Sequence, residues 1–302
     1  MPRPRLRRRP DFAAVPPREL PSARTVLVPD RGEFFLRDTG DSDPTHPTAN
    51  RPVVLLLHGW MVSADLNWCG AYDELAEAGY RVLAIDHRGH GRGLRALTPF
   101  RLTDCAADAA AVLRRLDTGP VTVVGYSMGG VIAQLMARDH RDVVSGVVLS
   151  ATCQHFQDPQ TRRVWRWMGA VGLMLGLSPR WFYTAGLRQQ GIALDERTAW
   201  WLSELTRHEA RDVAEAGREL GRFDSRPWLR GMARIPAAMV MTTRDGAVPP
   251  HKQRELAQAI GAEMFEADID HLEVTTRAAE FNPPLLSAVA AVGVPRSAAA
   301  AL

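Results

Sequence analysis

Ser127 lies in a segment whose residue types suit a reactive serine. Residues 125–130 read Gly-Tyr-Ser-Met-Gly-Gly and follow the apolar run 121–124, which is typical of a buried strand. A serine at a sharp turn between strand and helix has a strained backbone, and Gly125 and Gly129 leave out side chains that would collide there. The turn exposes the hydroxyl and directs the next helix N-terminus towards developing negative charge. The pattern predicts Ser127 as a nucleophile; the alternative is a structural turn serine.

A serine hydroxyl becomes a good nucleophile only when a neighbouring base removes its proton. With this kind of turn, the partners follow in the order serine, acid, histidine. His271 follows the predicted strand 262–266 and fits the base at the start of a last helix. The other candidate histidines fit the role of base less well. His140 lies at a polar helix end, His208 lies within a charged helix, and His251 lies at the start of a helix.

The acid that orients such a histidine is expected on the loop after the preceding strand. The predicted strand 237–242 leads into Thr-Arg-Asp-Gly at residues 243–246, which places Asp245 on a turn. An Asp followed by Gly is by default a turn former, but its position and chain order favour the catalytic interpretation. Asp158 and Asp270 remain alternatives for the acid.

The negative oxygen of a tetrahedral intermediate requires two backbone N–H donors. Met128, the residue after the serine, is expected to supply one. The other is expected from the loop after the apolar run 53–57, which reads His58-Gly59-Trp60, with Trp60 as the donor. We expect His58 and Gly59 to support this loop and to take no part in the chemistry.

These motifs together resemble the α/β-hydrolase superfamily. The resemblance covers residues 24–292 and rests on residues 58–60, 86–91, 125–130, on Asp245 with Pro249, and on His271. It implies an eight-stranded core sheet, no cofactor and a variable helical cap. In that family residues 86–91 form a structural turn, so Asp86 receives no catalytic role. The chain departs from the family at Arg92-Gly93, where relatives often carry Ser, which concerns the shape of this loop and not the triad.

The elements that position these residues alternate between strand and helix patterns. This alternation predicts an α/β fold with a mostly parallel sheet flanked by helices. The predicted strands are 25–28, 33–37, 53–57, 81–85, 121–124, 146–150, 237–242 and 262–266. The predicted helices are 72–78, Thr103 or Asp104 to Leu116, one up to about Arg138, one from about Pro250 and one from about Leu272.

Three regions follow from this pattern. Residues 1–23 are rich in Pro and Arg and are expected to form a disordered arm. Residues 24–153 and 231–302 are expected to form the core, and 154–230 an inserted helical cap with six of the eight tryptophans. Within the cap, Ser178-Pro179 predicts a helix start and Gly191 its end.

The composition excludes several classes of protein. The net charge of +3 includes five arginines among the first nine residues, without which 32 basic face 34 acidic residues, so nucleic-acid binding is not expected. The three cysteines lack metal-ligand spacing and predict reduced thiols, a cytoplasmic location and no metal site. No apolar run is long enough to span a bilayer, and no apolar segment typical of a signal peptide follows the basic start.

We therefore predict a serine hydrolase that cleaves a carboxylic ester through an acyl-enzyme, without a cofactor. The apolar residues at helical spacing in the cap favour a small-molecule ester with a lipophilic acyl group, although they can simply seat the cap. Hydrolysis of a carbon–carbon bond in a β-diketone, acyl transfer and cofactor-free haloperoxidase activity are alternatives on the same triad. Epoxide hydrolases and haloalkane dehalogenases are excluded because they carry Asp at the Ser127 position, and a non-catalytic binding protein is disfavoured. Electrostatic attraction of the arginine arm to an anionic membrane is a further hypothesis.

Overall fold

The computed structural model describes residues 14–40, 51–158, 165–189, 192 and 195–293. Its strands are β1 (Ser22–Val28), β2 (Gly32–Asp38), β3 (Val53–Leu57), β4 (Arg81–Ile85), β5 (Val121–Tyr126), β6 (Val144–Ser150), β7 (Ala237–Thr242) and β8 (Glu263–Ala267). They form one sheet in the order β1-β2-β4-β3-β5-β6-β7-β8. Strand β2 is antiparallel to both neighbours and all other pairs are parallel. The predicted eight-stranded, mostly parallel sheet is confirmed.

The described helices are α1 (Ala64–Trp68), α2 (Tyr72–Glu77), α3 (Leu102–Leu116), α4 (Met128–Asp139), α5 (Met168–Leu177), α6 (Pro179–Gln189), α7 (Glu196–Leu205), α8 (Ala210–Arg222), α9 (Pro250–Ile260) and α10 (Ala278–Gly293). The central strands are buried on both faces because helices cover both sides of the sheet. In β3, for example, Leu55 and Leu57 belong to a core cluster that includes residues of α3, α4 and α9, whereas Val54 and Leu56 belong to a second cluster that includes residues of α1, α2 and α10. This two-sided burial explains why the strand reads as a continuous apolar run.

Helices α5 to α8 lie between β6 and β7, where the sequence predicts the inserted cap, and are called the cap helices below. They pack on one another around Leu175, Tyr183 and Val213, and this cluster also contacts Trp60 in the loop after β3. The cap helices are thereby seated over the carboxyl ends of the central strands. The predicted helix end at Gly191 lies outside the described residues.

Two helix starts differ from prediction. Helix α3 begins at Leu102 after Arg101, which provides no side-chain cap, so the predicted cap at Thr103 or Asp104 is wrong. Helix α10 begins at Ala278 and not near Leu272, because residues 271–277 form turns. The β-branched run Val-Thr-Thr at 274–276 disfavours helix, and the Thr275 hydroxyl donates to the carbonyl of Leu66 instead.

The N-terminal boundary also needs a correction. Strand β1 begins at Ser22, inside the stretch 1–23 that the sequence predicts to be disordered. Leu20 packs against the core, and the Arg37 guanidinium donates to the carbonyl of Pro21 over 2.9 Å. Residues 1–13, which contain the five arginines, lie outside the described residues. Among the described helices, none combines the length and apolar character needed to cross a membrane.

Candidate active site

Ser127 occupies the turn between β5 and α4 in a strained conformation. Its φ of +54° lies in a backbone region that residues other than glycine rarely adopt. A Cβ on Gly125 would collide with the carbonyl of Gly129, and one on Gly129 would collide with the carbonyl of Leu57. Glycine at both positions therefore lets the first turn of α4 approach β3, which exposes the serine at the end of the sheet.

The structure brings Ser127, His271 and Asp245 together in one hydrogen-bonded row. His271 Nε2 lies 3.0 Å from Ser127 Oγ, and His271 Nδ1 lies 2.8 Å from Asp245 Oδ2. The carboxylate is fully buried, whereas the imidazole is 14% exposed. A proton on Nδ1 directed at the carboxylate leaves Nε2 free to accept the serine proton.

Asp245 is fixed by partners that the sequence analysis missed. Its Oδ1 accepts the N–H groups of Ala247 and Val248 over 2.9 and 2.6 Å, and its Oδ2 accepts the Thr242 hydroxyl over 2.7 Å. Gln253 on α9 donates to the Thr242 hydroxyl over 2.8 Å and to the Val248 carbonyl over 2.7 Å. No motif marks Thr242 or Gln253, since single polar residues on a strand and a helix carry no signal before the chain folds.

His271 is held from its other side by the residue that precedes the nucleophile. The Tyr126 hydroxyl donates to the His271 carbonyl over 2.7 Å, and the two rings lie 5.5 Å apart. Burial raises the pKa of Tyr126 well above its ordinary value, so this hydroxyl keeps its proton. The loop that carries His271 is thus tied to the strand that carries Ser127.

The alternative acids and bases lie elsewhere. Asp270 accepts the N–H of Gly246 over 3.2 Å, and Asp158 pairs with Lys252. His140 ends α4, and His251 is exposed on α9. His208 is half-buried and accepts the N–H of Gly91 over 2.9 Å.

The predicted oxyanion loop lies beside the serine. A Cβ on Gly59 would lie 3.5 Å from Ser127 Cβ, and the Gly59 N–H donates to Asn67 Oδ1 over 2.9 Å. Among the hydrogen bonds of the described residues, none is donated by the backbone N–H of Trp60 or Met128, the two predicted donors. Neither group therefore has a hydrogen-bond partner among the described residues, as the predicted role requires. The Trp60 indole N–H donates to the Val213 carbonyl of α8 over 2.9 Å, which links this loop to the cap helices.

His58 supports this loop as a neutral ring. Its Nε2 accepts the backbone N–H of His87 over 3.0 Å, which places its own proton on Nδ1, 2.7 Å from the Gly59 carbonyl. His58, His87, His90 and His208 form a chain of neighbouring rings, of which the first three residues are buried. Burial lowers the pKa of His87 to about 3 and that of His90 to about 4, and it lowers those of His58 and His208 well below 6.5.

A cavity of about 640 Å³ opens between the hydrogen-bonded row Ser127–His271–Asp245 and the cap helices. No Asp, Glu, Lys or Arg is among the described residues that line it. Aromatic and aliphatic side chains from the cap helices and the loops form most of its wall, among them Trp165, Phe182, Leu187, Trp201, Leu205 and Val248. Such a volume and lining suit an apolar small molecule. Within the described part of the chain, no cluster of three or more His, Cys, Asp or Glu is arranged to hold a metal ion.

Comparisons with known proteins place the chain in a family. The family model of the alpha/beta hydrolase fold matches residues 52–174. A rhodomycin D methylesterase from Streptomyces sp. (strain C5) is 30% identical over 271 residues, which are 79% of this chain and 89% of the relative. An esterase structure from Exiguobacterium antarcticum has a TM-score of 0.73 at 20% identity, over 89% of this chain and 100% of the other. The chain belongs to the α/β-hydrolase family.

Other relatives match a shorter stretch. A non-heme haloperoxidase from Rhodococcus erythropolis is 36% identical over 125 residues, which are 41% of this chain and 42% of the relative. The chain thus spans less than half the length of the first curated relatives that it matches, between 42% and 44%.

Proposed function

We propose that this chain is a serine hydrolase that cleaves carboxylic esters with an apolar acyl group. The observation that supports this most directly is the Ser127–His271–Asp245 row of hydrogen bonds opening into an uncharged cavity. In this proposal residues 24–153 and 231–302 form the catalytic core, and the inserted segment 154–230 closes the acyl pocket from above.

The proposed reaction has two halves, acylation and deacylation, and the same catalytic groups act in both. Ser127 Oγ attacks the ester carbonyl while its proton passes to His271 Nε2, and Asp245 stabilises the imidazolium that forms. The carbonyl oxygen becomes negative and accepts the backbone N–H groups of Trp60 and Met128. The alcohol leaves with the histidine proton, and water, activated by the same histidine, then releases the acid.

The size and lining of the cavity favour an ester substrate with a large acyl group. An apolar acyl group gains free energy by leaving water for the uncharged wall, at about 25 cal/mol per Å² buried. The Streptomyces relative is named a methylesterase, and a methyl ester likewise combines a large acyl group with a small alcohol. We therefore propose that the 640 Å³ cavity receives the acyl group.

Hydrolysis of p-nitrophenyl esters from C2 to C16 tests the proposal, with Ser127→Ala as the control. We expect turnover that depends on Ser127 and has its maximum at medium or long chains. A fluorophosphonate probe should label the wild type and leave Ser127→Ala unlabelled. A maximum at charged or very short acyl groups would contradict an apolar pocket. Labelling without turnover on the whole panel would favour carbon–carbon cleavage or acyl transfer.

A second candidate is perhydrolysis on the same triad, which the resemblance to a haloperoxidase favours. Hydrogen peroxide would replace water in the attack on the acyl-enzyme, and the peracid released would oxidise halide in solution. Bromide oxidation measured with acetate and hydrogen peroxide tests this reaction. It should disappear in Ser127→Ala, and bromide oxidation that survives this substitution would exclude an acyl-enzyme route.

A further inference from the structure

Helix α5 is apolar around its whole circumference, but only one side of it is covered. Its sequence is Met-Gly-Ala-Val-Gly-Leu-Met-Leu-Gly-Leu. Met168 and Leu175 are buried, and Gly172 lies against Ala214 of α8. On the opposite side, Leu173 and Leu177 are one helical turn apart and are 64% and 77% exposed. A helix that is apolar all round normally lies in a core or in a membrane, so the uncovered side requires an explanation.

Two exposed tryptophans lie close to α5 in the sequence. Trp167 precedes α5 and is 67% exposed, and Trp181 lies in the first turn of α6 and is 63% exposed. With Leu173, Met174 and Leu177 they form what we call the cap apolar patch. Exposed patches of large apolar side chains are rare on monomeric soluble proteins and mark sites of interaction. None of the five side chains lines the cavity, so the proposed substrate pocket does not account for them.

The charged side chains on α5 and α6 and directly before α5 are of one sign. Arg166, Arg180 and Arg188 are exposed on the same two helices or next to them. In sequence, residues 159–194 contain five arginines and no acidic residue. Arginine attracts the phosphate groups of lipids, and tryptophan prefers the boundary between headgroups and hydrocarbon. This combination is complementary to a bilayer that carries anionic phospholipids.

We infer that the cap apolar patch docks on the surface of an anionic phospholipid bilayer. Leu173, Leu177 and the two tryptophans enter the interface, while the three arginines bind lipid phosphates. Helix α6 presents Trp181 to this surface, and its other side contributes Phe182 and Leu187 to the cavity wall. A lipophilic ester dissolved in the bilayer would thus lie one helix away from the pocket. This last step rests on the proposed function, whereas the docking itself does not.

Co-sedimentation of the full chain with vesicles tests the docking. Vesicles of phosphatidylcholine with 30% phosphatidylglycerol should bind the wild type, and vesicles of pure phosphatidylcholine or high salt should weaken the binding. The double variant Leu173→Ser/Leu177→Ser should bind about tenfold less. Leu97→Ser is the matched control, because Leu97 is 97% exposed but lies outside the patch, and it should bind as the wild type does. Equal binding of the double variant and the wild type would overturn the inference.

Two further measurements separate the alternatives. Deletion of residues 2–13 removes the arginine arm, and if this deletion abolishes binding that the double variant retains, the arm and not the patch is the anchor. Sedimentation velocity without lipid tests self-association, and a wild-type dimer that the double variant loses, without vesicle binding, would assign the patch to a second copy. Far-UV circular dichroism establishes that the variants fold. Vesicle binding does not require esterase activity, so this inference and the proposed function can fail separately.

Discussion

At the residue scale, the two oxygens of Asp245 have different partners. Oδ1 accepts two backbone N–H groups, which hold it in place, and Oδ2 faces His271. In Asp245→Asn the amide oxygen should keep the two N–H donors, which turns the NH₂ group towards His271. The histidine proton would then move to Nε2, and Ser127 would lose its base.

We therefore expect Asp245→Asn to lower kcat about 10⁴-fold. Steady-state hydrolysis of the best p-nitrophenyl ester measures this, and KM should change little. Asp270→Asn is the matched control, since Asp270 contacts Gly246 and not the imidazole, and its kcat should stay close to wild type. A comparable loss in both variants would point to a general distortion of the loops and against a specific role of Asp245.

Asn67 is a positioning residue for the predicted oxyanion loop. Its carbonyl oxygen holds the Gly59 N–H, next to the predicted donor Trp60. We expect Asn67→Ala to lower kcat about tenfold or more, since a misplaced oxyanion donor weakens binding of the transition state more than of the substrate. KM should remain within a factor of about two.

A structural control separates positioning by Asn67 from simple destabilisation. Asn282 is also buried and its amide donates to the carbonyl of Gly70, but among the described residues no hydrogen bond joins it to residues 58–60. Asn282→Ala should lower the denaturant midpoint without lowering kcat. Equal kcat values for Asn67→Ala and the wild type would show that the loop keeps its place without this hydrogen bond.

The residues of the predicted triad could be selected from the sequence because their position after strands and their order along the chain are local signals. Thr242, Gln253 and Asn67 could not be selected in this way. Each acts through a contact with a residue on another element or loop, and none belongs to a motif. Arg92, noted only as a departure from relatives, proves to have a partner 112 positions away in Glu204.

At the element scale, that pair joins the loop after β4 to cap helix α7. The Arg92 guanidinium donates to both carboxylate oxygens of Glu204 over 2.7 and 3.0 Å, and the Ser63 hydroxyl donates to Glu204 over 2.9 Å. The Glu204 side chain is only 1% exposed. A buried carboxylate is costly when it loses its cation, and Arg207 replaces Arg92 only in part, through one contact of 3.0 Å.

Arg92→Ala should lower the free energy of unfolding by about 2 kcal/mol. Urea unfolding monitored by circular dichroism measures this loss. In the double variant Arg92→Ala/Glu204→Gln the uncompensated charge is absent, so part of the stability should return. If the double variant is no more stable than Arg92→Ala, the carboxylate charge is not the cause.

The elements themselves were predictable where burial imposes a pattern. Strands β3, β4 and β7 begin and end at the predicted residues, because their largely apolar side chains are buried almost throughout. The sequence predicts the start of α10 too early, since the tertiary contact of Thr275 competes with helix formation over residues 271–277. The uncovered side of α5 was also missed, because an apolar sequence does not reveal which of its faces will find a neighbour.

At the scale of the whole molecule, the four neighbouring histidines 58, 87, 90 and 208 make stability depend on pH. The folded protein keeps them neutral, with a pKa of about 3 for His87 and about 4 for His90, whereas the unfolded chain titrates near 6.5. Below pH 6.5 the unfolded state therefore binds protons that the folded state does not. Stability should fall as the pH decreases from 6.5 towards 4, by about 1.4 kcal/mol per pH unit for each fully protonated histidine.

Asp86 acts in the opposite sense, because burial raises its pKa to about 6 and the folded state holds its proton longer than the unfolded state. The single carboxyl of Asp86 offsets only the pH dependence of stability that one of the four histidines contributes. Urea unfolding at pH 7.5, 6.5 and 5.5 measures how the free energy of unfolding depends on pH. In His90→Gln this dependence should be weaker by about the contribution of one histidine. A stability that is flat between pH 6.5 and 5.5 would contradict neutral histidines in the folded state.

The hydrogen bond of the Trp60 indole limits which cap helices from a relative can replace those of this chain. The same residue is the predicted oxyanion donor through its backbone and binds the Val213 carbonyl of α8 through its side chain. A chimera that carries another relative's cap helices would keep every residue of the triad. It would still need a carbonyl facing this indole and a carboxylate facing Arg92, or the loops after β3 and β4 would each lose a contact with the cap helices. The cap helices of this protein therefore cannot be exchanged freely for those of a relative. Grafted cap helices should be selected first for these two contacts and only then for their fit to a new substrate.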